Sequence, residues 1–336
     1  MKEKKILLSH GSGGKLSYRL IRDLFVSNFE NDYLKRLDDG AILKINDLNL
    51  AFSTDSYTVD PLFFQGGNIG ELAVHGTVND LAMCGAHPLY LTCSFIIEEG
   101  LPIKILEKIV VSMKKASVNA GVKIVTGDTK VVNKGAVDKI FINTSGIGII
   151  KEGINISGKN ARTGDIVITN GTIGDHGITV LSEREGLKFE TTLRSDTAPL
   201  ASLVSDMMEI SDNIHVLRDP TRGGLSTTLN EIAMSSEVEI EIDEEKIPIR
   251  EGVRAVCEIL GYDPLYLANE GKLIAFVSPE DSLKVLQKMK SNKYGKESKI
   301  IGRVTQKSLG RVFLKTKVGG KRIVDMLTGE QLPRIC

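Results

Sequence analysis

The strongest constraint on the fold is an alternation of strand-like and helical segments that occurs twice along the 336 residues. In each half, runs rich in Ile, Val, Phe and Thr are separated by segments with helical spacing of apolar residues. Between residues 153 and 164 this pattern gives way to the polar, glycine-bearing stretch GINISGKNARTG. A single core for a chain of this length would be unusually large. We therefore predict an α+β protein with a domain boundary in this stretch.

The first half contains five predicted strands, AILKI, LNLAFSTDSYTV, PLYLTCSFIIEE, VKIVTGD and KIFINTSGIGII. Helices are predicted around Leu20 and Leu24, around Ile109 and Met113, and over IGELAVHGTVNDLAMCGA. The second half shows the strands DIVITNG, KLIAFVS and KIIGRVT. Its helices are a segment bearing Leu200, Leu203, Val204, Met207 and Met208, one that follows RDPTRGG, and PEDSLKVLQKMK.

The last residues form a separate part of the predicted organisation. GRVFLKT and KRIVDM flank KVGG, which indicates a β-hairpin. After Met326 the pattern fades, and a stretched tail from there would span roughly 35 Å at ~3.3–3.6 Å per residue. The predicted units are an N-terminal domain (1–152), a C-terminal α+β domain (153–308), and a hairpin with a flexible tail that carries Cys336 (309–336).

Charge and hydropathy exclude two classes of partner. Lys plus Arg and Asp plus Glu both number 43, so the net charge of zero gives no support for nucleic-acid binding. No run approaches the ~20 apolar residues needed to span a bilayer. The apolar run that follows the basic start MKEKK is far too short for a signal peptide. We expect a cytoplasmic protein.

The four cysteines fall into two groups. None forms a CxxC pair and there are five histidines, so a closed zinc site has no support. Cys84, Cys93 and Cys257 have apolar neighbours and are predicted to be small core residues. Cys336 is the last residue printed and lies outside any apolar pattern. A thiol at that position is either incidental or functional.

Four motifs bring aspartates to the first half: DDGA (Asp38, Asp39), STDS (Asp55), VNDLAMCGA (Asp80) and TGDT (Asp128). Three of them lie where strands start or end, whereas Asp80 falls inside a predicted helix among apolar residues. A buried carboxylate is costly unless it is paired or bound to a metal. Converging carboxylates suit a Mg²⁺–nucleotide site. For each residue alone, a turn or cap role remains an alternative.

Glycine-rich loops precede several predicted helices. HGSGGK allows close approach of a phosphate, and a helix N-terminus favours anions, although neither GxxxxGK[ST] nor GxGxxG is matched. A mobile loop is the alternative. NGTIGDHG and RDPTRGG are two further junctions of this kind, with Arg222 available to pair a phosphate or carboxylate. The alternative for both is an ordinary loop that only connects two elements of secondary structure.

Taken in order, ten motifs resemble one family: HGSGGK, DDGA, STDSY, GTVNDLAMCGA, FIIEEG, TGDTKV, DHG, RDPTRGG, ANEGK and the terminal PRIC. They are similar to those of the hydrogenase-maturation carbamoyl dehydratases (the HypE family), within the aminoimidazole ribonucleotide synthetase superfamily. The resemblance extends from residue 10 to residue 336. It implies two aminoimidazole ribonucleotide synthetase-like domains, a homodimer formed through a β-barrel between the N-terminal domains, and a mobile C-terminal tail.

The resemblance also implies a site for ATP and Mg²⁺. It makes Asp38, Asp55, Asp80 and Asp128 the metal and phosphate ligands. Further ATP-binding positions are His10, Gly11, Ser12, Gly13, Gly14, Asn79 and Thr129, of which the first five form a lid. Asp219 and Arg222 are expected to contact phosphate or the tail. Lys130 and Glu270 are the candidate bases, with a phosphate clamp as the alternative for Lys130 and a turn carboxylate for Glu270.

The implied reaction takes place on the tail. A partner carbamoyltransferase, HypF, loads Cys336, the S-carboxamide is dehydrated to a thiocyanate at the expense of ATP, and the HypC–HypD scaffold accepts the cyanide for the iron of [NiFe] hydrogenase. The terminal carboxylate disfavours the thiolate and Arg334 favours it, so we expect activation in the transferase's site. Pro333 would stiffen the tail.

Two alternatives remain at this stage. One is another member of the superfamily, such as a selenophosphate or aminoimidazole ribonucleotide synthetase. Selenophosphate synthetases carry a Cys or selenocysteine near the N-terminal glycine loop, and HGSGGK has none. The other is a thiol carrier without catalytic activity, which would transport a group on Cys336.

Overall fold

The computed structural model describes residues 5–186, 193–329, 332 and 334–336. Within these residues the chain forms one sheet of five strands from the first half and one of seven strands from the second, together with a short two-stranded sheet. Helices pack on both large sheets, so the predicted α+β class is confirmed. No helix among the described residues is long and apolar enough to cross a membrane.

The N-terminal sheet has the order β1-β2-β7-β5-β6, in which only β5 and β6 run parallel. All five strands predicted for this half are present. The strands of this half are β1 (Ala41–Ile45), β2 (Leu48–Tyr57), β3 (Phe63–Phe64), β4 (Gly67–Asn68), β5 (Ala86–Glu98), β6 (Lys123–Val132) and β7 (Ile140–Ile150). The helices are α1 (Lys15–Leu20), a π-helical turn (Ile21–Val26), α2 (Ser27–Phe29), α3 (Ile69–Met83) and α4 (Ile103–Ala120), with 3₁₀ turns at Leu8–His10 and Leu34–Arg36.

Helix α3 is central to this half because it lies between the sheet and α4. The Asn68 side chain caps it by accepting hydrogen bonds from the N–H groups of Gly70 and Glu71 (2.9 and 3.2 Å). Its residues are buried on nearly every side, which matches its lack of a polar face. Asp80 is therefore carried into the interior by a helix most of whose residues are apolar, as the sequence suggested.

The C-terminal sheet has the order β14-β13-β10-β12-β8-β11-β9. Its strands are β8 (Ile166–Thr169), β9 (Ile214–Arg218), β10 (Val238–Asp243), β11 (Ile274–Val277), β12 (Lys299–Lys307), β13 (Arg311–Lys315) and β14 (Lys321–Val324). The helices are α5 (Asp175–Arg184), α6 (Ala201–Met208), α7 (Gly224–Ser236), α8 (Glu251–Leu260) and α9 (Pro279–Ser291), with a 3₁₀ turn at Pro264–Tyr266. The predicted hairpin, β13 with β14, extends this sheet through a parallel pairing of β13 with β10.

Three elements of this half were not predicted: β9, β10 and α8. β10 has the sequence VEIEID, in which Val238, Ile240 and Ile242 face the core and carboxylates occupy the other face. The alternation of charge gives it no continuous apolar run, although period two is itself a strand signal. β9 is only five residues long, and its first four are buried.

The cysteines lie as predicted in three of four cases. Cys84, Cys93 and Cys257 are free and buried in the core. Cys336 is free and only partly exposed, because the end of the chain packs against the first half of the protein. Pro333 lies outside the described residues.

Candidate active site

A cleft of about 690 Å³ lies where the two halves of the chain meet. From the first half it is lined by the C-terminal part of β2 and by Asp80 on α3. From the second half it is lined by the loop that leads from β9 into α7, and by Glu270. Cys336 also lines this cleft. The tail therefore brings its thiol to the place where both domains contribute acidic residues.

Three carboxylates converge at the bottom of the cleft. Asp39 precedes β1, Asp80 lies on α3 and Asp219 follows β9, and one ligand oxygen from each lies within 4.8 Å of the other two. Asp39 Oδ2 is buried and has no hydrogen-bond partner among the described residues. The Ser53 hydroxyl donates to Asp80 Oδ2 at 2.6 Å. We call Asp39, Asp80 and Asp219 the carboxylate triad.

The electrostatics of the triad fit a divalent cation. Burial raises the pKa of Asp39 and of Asp80 well above the ordinary value, and the neighbouring carboxylates raise the pKa of Asp80 further. Burial raises the pKa of Asp219 to about 6, against the attraction of Arg218. A hard cation with oxygen ligands, such as Mg²⁺, would offset both the repulsion and the missing hydrogen bond. The donor set therefore fits Mg²⁺.

The triad shares only Asp80 with the predicted metal ligands Asp38, Asp55, Asp80 and Asp128. Asp38 accepts hydrogen bonds from Ser157 Oγ and from the N–H of Gly158, both at 2.8 Å, and pairs with Arg36 at 3.1 Å. It thus fixes the segment between the domains, and its neighbour Asp39 joins Asp80 and Asp219 instead. The motif DDGA predicts a carboxylate ligand at this point of the chain, but it does not decide between Asp38 and Asp39.

An arginine that the sequence analysis missed supports Asp39. Arg218 Nε lies 2.9 Å from Asp39 Oδ1, and its other nitrogens contact Glu231 Oε2 (2.9 Å) and the Leu37 carbonyl (2.8 Å). Glu231 and the Leu37 carbonyl accept hydrogen bonds and Asp39 adds an ion pair, so the guanidinium is held in a fixed orientation. The sequence feature that could have identified Arg218 as a site residue is its place at the start of RDPTRGG, immediately before Asp219.

Glu270 is the most deeply buried acid that lines the cleft, with 4% of its surface exposed. Its Oε1 is buried without a hydrogen-bond partner among the described residues. Burial raises its pKa well above the ordinary value, and Asp219 and Asp196 add to this. Its backbone is fixed from two sides, because its N–H donates to Asp196 Oδ1 (3.0 Å) and its carbonyl accepts from Asn79 Nδ2 (3.4 Å). The side chain is therefore presented to the cleft by a rigid loop.

Asn79 was predicted to bind nucleotide, and the structure gives it other partners. Besides Glu270, its Nδ2 donates to the Ala198 carbonyl at 3.0 Å and its Oδ1 accepts from the N–H of Leu200 at 2.8 Å. These bonds tie α3 to the loop that precedes α6. In the structure Asn79 positions Glu270 and its surroundings.

The thiol of Cys336 has a defined electrostatic environment. Burial raises its pKa to about 12, and the carboxylates of Glu270, Asp55 and Asp219 add to this, whereas Arg222 opposes it. The cation that acts on the sulfur is Arg222, and not Arg334 as expected, because Arg334 pairs with Asp138 and donates to the Thr58 carbonyl. The docked thiol is consequently protonated at neutral pH.

The glycine loop His10–Gly14 packs against the second half of the chain. Arg222 donates to the Gly11 carbonyl (3.4 Å), and the N–H of Lys15 donates to the carbonyl of Leu327 (2.8 Å). His10 is buried, with its Nδ1 accepting from the N–H of Leu7. Gly13 lines the cleft, and Gly11 and Ser12 line a smaller cavity beside it that Cys336 also borders.

Gly13→Ala is expected to displace this loop. Gly13 has a φ of 79°, and an added Cβ would overlap the Arg222 carbonyl. Strain and overlap together should lower the free energy of unfolding by about 1–3 kcal/mol and weaken nucleotide binding. Gly11→Ala is the matched control, because the nearest atom to its added Cβ is 3.6 Å away. Thermal melts with and without nucleotide measure both effects, and equal behaviour of the two variants would contradict this role of Gly13.

Asp128, Thr129 and Lys130 do not reach the cleft within one chain. They lie on β6, the edge strand, where Asp128 and Lys130 are exposed and pair with each other at 2.7 Å. β6 is three strands away from β2, which places it roughly 14 Å away at the ~4.8 Å spacing of adjacent strands. Asp55, by contrast, lies on β2 and lines the cleft, and its role as a metal and ATP ligand stays a prediction.

The other end of the cleft is apolar and aromatic. Its walls come from α1, the π-helical turn, α2 and the following turn; they include Tyr18, Ile21, Phe25, Phe29, Tyr33 and Leu34. Several of these side chains are substantially exposed. An apolar wall at one end and carboxylates at the other suit a ligand with a flat ring and a charged tail.

Known protein families match most of this chain. Residues 37–150 match the family model for the AIR synthase related protein, N-terminal domain, and residues 162–315 match the C-terminal domain of the same family. The chain is 49% identical to carbamoyl dehydratase HypE of Cupriavidus necator over 337 residues, which cover 100% of this chain and 96% of that protein.

Solved structures indicate the same family. A HypE structure in complex with ATP is 52% identical, with a TM-score of 0.83, and the match covers 99% of this chain and 100% of that one. A HypE–HypF complex gives a TM-score of 0.88 at 52% identity, covering 92% of this chain and 99% of that one. The chain therefore belongs to the AIR synthase related protein family and, within it, to the HypE carbamoyl dehydratases.

Proposed function

We propose that this protein dehydrates the S-carboxamide of its own Cys336 to an S-thiocyanate, using ATP, and so supplies the cyanide ligand for the iron of a [NiFe] hydrogenase during maturation. The observation that carries the proposal is the position of Cys336, which lines the same cleft as the carboxylate triad and Glu270. Relatives named carbamoyl dehydratase, and one solved with ATP, support it.

The chemistry requires an activated oxygen, because oxide does not leave from an amide carbon. Transfer of the γ-phosphoryl group of ATP to the carboxamide oxygen forms an O–P bond and releases ADP. The oxygen then leaves as phosphate. Mg²⁺, when bound by Asp39, Asp80 and Asp219, would align the phosphates and neutralise the charge that develops in the transfer. The apolar end of the cleft would hold the base of the nucleotide.

Two protons leave the nitrogen as the C≡N bond forms, and Glu270 is the residue best placed to accept one. It is buried, it lines the cleft with Cys336, and one of its oxygens has no partner among the described residues. Burial raises the pKa of Glu270, which makes its carboxylate a stronger base than an exposed one. Arg222, which faces the sulfur, would orient the carboxamide oxygen or the transferred phosphate.

The protonated state of the docked thiol explains why loading needs a partner. With a pKa of about 12, the docked thiol is a poor nucleophile at neutral pH, so carbamoylation takes place in the site of a carbamoyltransferase such as HypF. A relative has been solved as a HypE–HypF complex. The HypC–HypD scaffold would accept the cyanide. All four cysteines are free, as in a cytoplasmic protein.

The outer face of the N-terminal sheet supports the homodimer. Phe52, Ile147 and Tyr90 lie side by side on β2, β7 and β5, and each is at least 36% exposed. Val125 and Val131 on the edge strand are exposed by 57% and 67%. Association of two such faces would close a β-barrel between subunits and cover this apolar surface. It would also bring Asp128 and Lys130 of one subunit towards the cleft of the other.

Mixed dimers test whether Lys130 acts across the interface. Lys130→Gln and Glu270→Gln homodimers should both be inactive. A mixed dimer of the two variants contains one site with an intact Lys130 from one chain and an intact Glu270 from the other. Coexpression with two affinity tags should therefore restore up to half of the activity per dimer. Absence of activity in purified mixed dimers would place Lys130 outside the partner's site.

One measurement separates the proposed reaction from the alternatives. Protein carbamoylated on Cys336 is incubated with Mg-ATP, and the mass of the C-terminal peptide is followed together with ADP release. Dehydration predicts a loss of ~18 Da, which is one water for each phosphoryl group transferred. A thiol carrier without catalytic activity predicts no change in mass, and a selenophosphate synthetase predicts ATP hydrolysis that does not depend on the carbamoyl group.

A further inference from the structure

The inward face of β2 carries three polar side chains. Ser53, Asp55 and Tyr57 occupy alternate positions of the strand, so their side chains leave it on one face. That face packs against α3. Tyr57 lines the cleft, although only 2% of its surface is exposed. Its phenol is a buried polar group that no step of the proposed reaction uses.

The end of the Tyr57 ring lies against α3 at Gly76. A Cβ added to Gly76 would lie 2.1 Å from Tyr57 Oη and 3.1 Å from its Cζ, and the first of these distances is far shorter than a van der Waals contact. The ring packs in the core cluster of the first domain, so it has no room to turn away. The absence of a side chain at Gly76 therefore gives the hydroxyl its place in the cleft.

The Tyr57 hydroxyl donates to Asp55 Oδ2 at 3.2 Å. A phenol keeps its proton at neutral pH, so the tyrosine is the donor and the carboxylate the acceptor. Ser53 makes a corresponding contact, because its hydroxyl donates to Asp80 Oδ2 at 2.6 Å. Each hydroxyl occupies one oxygen of an acid that lines the cleft and restricts the rotation of its carboxylate. Strand β2 thus supplies Asp55 together with the hydroxyls that orient Asp55 and Asp80.

Asp55 is close enough to the carboxylate triad to act on the same ligand. Burial raises the pKa of Asp80 and of Asp219, and the charge of Asp55 raises both further. Burial also raises the pKa of Asp55, and the charge of Arg222 opposes this. A ligand that combines a cation with phosphates would therefore meet Asp55 together with the triad and Arg222.

We propose that Tyr57 is a positioning residue of the Mg-ATP site, which holds Oδ2 of Asp55 so that Oδ1 faces the cation or the phosphates. The inference rests on the proposed function, because Mg-ATP is the ligand that it invokes. A carboxylate that is already held at one oxygen loses less conformational freedom when the ligand binds, and this improves affinity. Gly76 belongs to the same arrangement, because a side chain at that position would displace the phenol.

The test measures the binding of Mg-ATP to the full, uncarbamoylated chain by calorimetric titration, together with the melting temperature without nucleotide. Tyr57→Phe removes the hydroxyl and keeps the ring. Its matched control is Tyr262→Phe, which removes the hydroxyl of a partly buried tyrosine that packs in the second domain, outside the cleft. Gly76→Ala displaces the hydroxyl while the tyrosine is retained. The double variant Tyr57→Phe with Gly76→Ala lacks the atom that the new methyl group overlaps most.

Tyr57→Phe should raise the Kd for Mg-ATP about 3–10-fold, the effect of losing one hydrogen bond, while Tyr262→Phe leaves it unchanged. Gly76→Ala should raise the Kd as well and should also lower the melting temperature, because the added methyl group overlaps Tyr57. In the double variant the melting temperature should recover towards that of the parent, while the affinity stays as weak as in Tyr57→Phe. Parent affinity in Tyr57→Phe, whatever its stability, would overturn the proposal, and so would parent affinity in the double variant.

Binding and dehydration are measured separately, so the role of Tyr57 and the proposed function can be refuted independently. If Tyr57→Phe binds Mg-ATP more weakly and carbamoylated parent protein yields no thiocyanate, the proposed function is refuted and the role of Tyr57 stands. If Tyr57→Phe binds Mg-ATP like the parent and the parent yields thiocyanate, the role of Tyr57 alone is refuted.

Discussion

Glu270→Gln is expected to stop thiocyanate formation while leaving ATP binding and the loading of Cys336 intact. Glutamine preserves the volume and one hydrogen-bond acceptor but cannot take a proton from the carboxamide nitrogen. Loss of a positioned general base lowers a rate by about 10²–10⁴-fold. Carbamoylated variant protein should therefore keep the mass of its C-terminal peptide unchanged in Mg-ATP over times at which the parent protein loses one water.

The matched control for this variant is Glu258→Gln, an exposed residue on α8 outside the cleft. A pH profile adds a second readout. The activity of the parent protein should rise with pH as Glu270 loses its proton. The residual activity of the glutamine variant should not show this rise. If the variant dehydrates its carboxamide at the parent rate, Glu270 is not the base. In the proposed dimer, Lys130 from the other subunit would then be the better candidate.

Asp80→Asn is expected to give a large loss of turnover combined with higher stability in the absence of metal. At neutral pH an ionised Asp80 is repelled by Asp55, Asp219 and Asp39, and it is buried. An asparagine removes that repulsion and can still accept the hydrogen bond from Ser53. We expect the free energy of unfolding without Mg²⁺ to rise by about 1 kcal/mol and the ATP turnover to fall by about 10²–10³-fold.

Thermal melts as a function of Mg²⁺ concentration give the sharper measurement for this variant. The parent protein should be stabilised by the cation, because the native state alone presents the carboxylate triad. Asp80→Asn should lose most of that stabilisation, whereas Asp212→Asn, at an exposed position, should retain it. A variant that remains stabilised by Mg²⁺ as strongly as the parent would exclude Asp80 from the metal site.

The strands of the first domain could be predicted from sequence because runs of β-branched residues mark them, even where the strand is exposed, as in β6. The same reasoning missed β10, where the inward Val238, Ile240 and Ile242 alternate with acids on the other face. Neighbouring strands are also not given by their order in the chain. β7 comes last in this half of the chain but lies between β2 and β5, which leaves β6 at the edge of the sheet and removes Asp128 and Lys130 from the cleft of their own chain.

The site was predictable at the level of motifs and not at the level of single side chains. DDGA identified an acidic position, but only the direction of the backbone before β1 decides that Asp39 faces Asp80 while Asp38 faces Ser157. The docking of the tail could not be predicted from the motifs. It depends in part on backbone N–H groups of Thr58 and Asp60, which every non-proline residue possesses, and in part on His176, which is distant in sequence.

In the proposed cycle, the hydrogen bonds from Thr58, Asp60 and His176 to the backbone of residues 334–336 limit how fast Cys336 can be carbamoylated. A docked tail cannot be offered to a carbamoyltransferase, so that partner would encounter only the undocked fraction of chains. If docking were favoured by about 2 kcal/mol, roughly 3% of the chains would be undocked, and the apparent affinity of the transferase would fall by the same factor. Tighter docking of the unloaded thiol would therefore slow the cycle, and the most productive tail is one that binds its own site better with the carboxamide attached than without it.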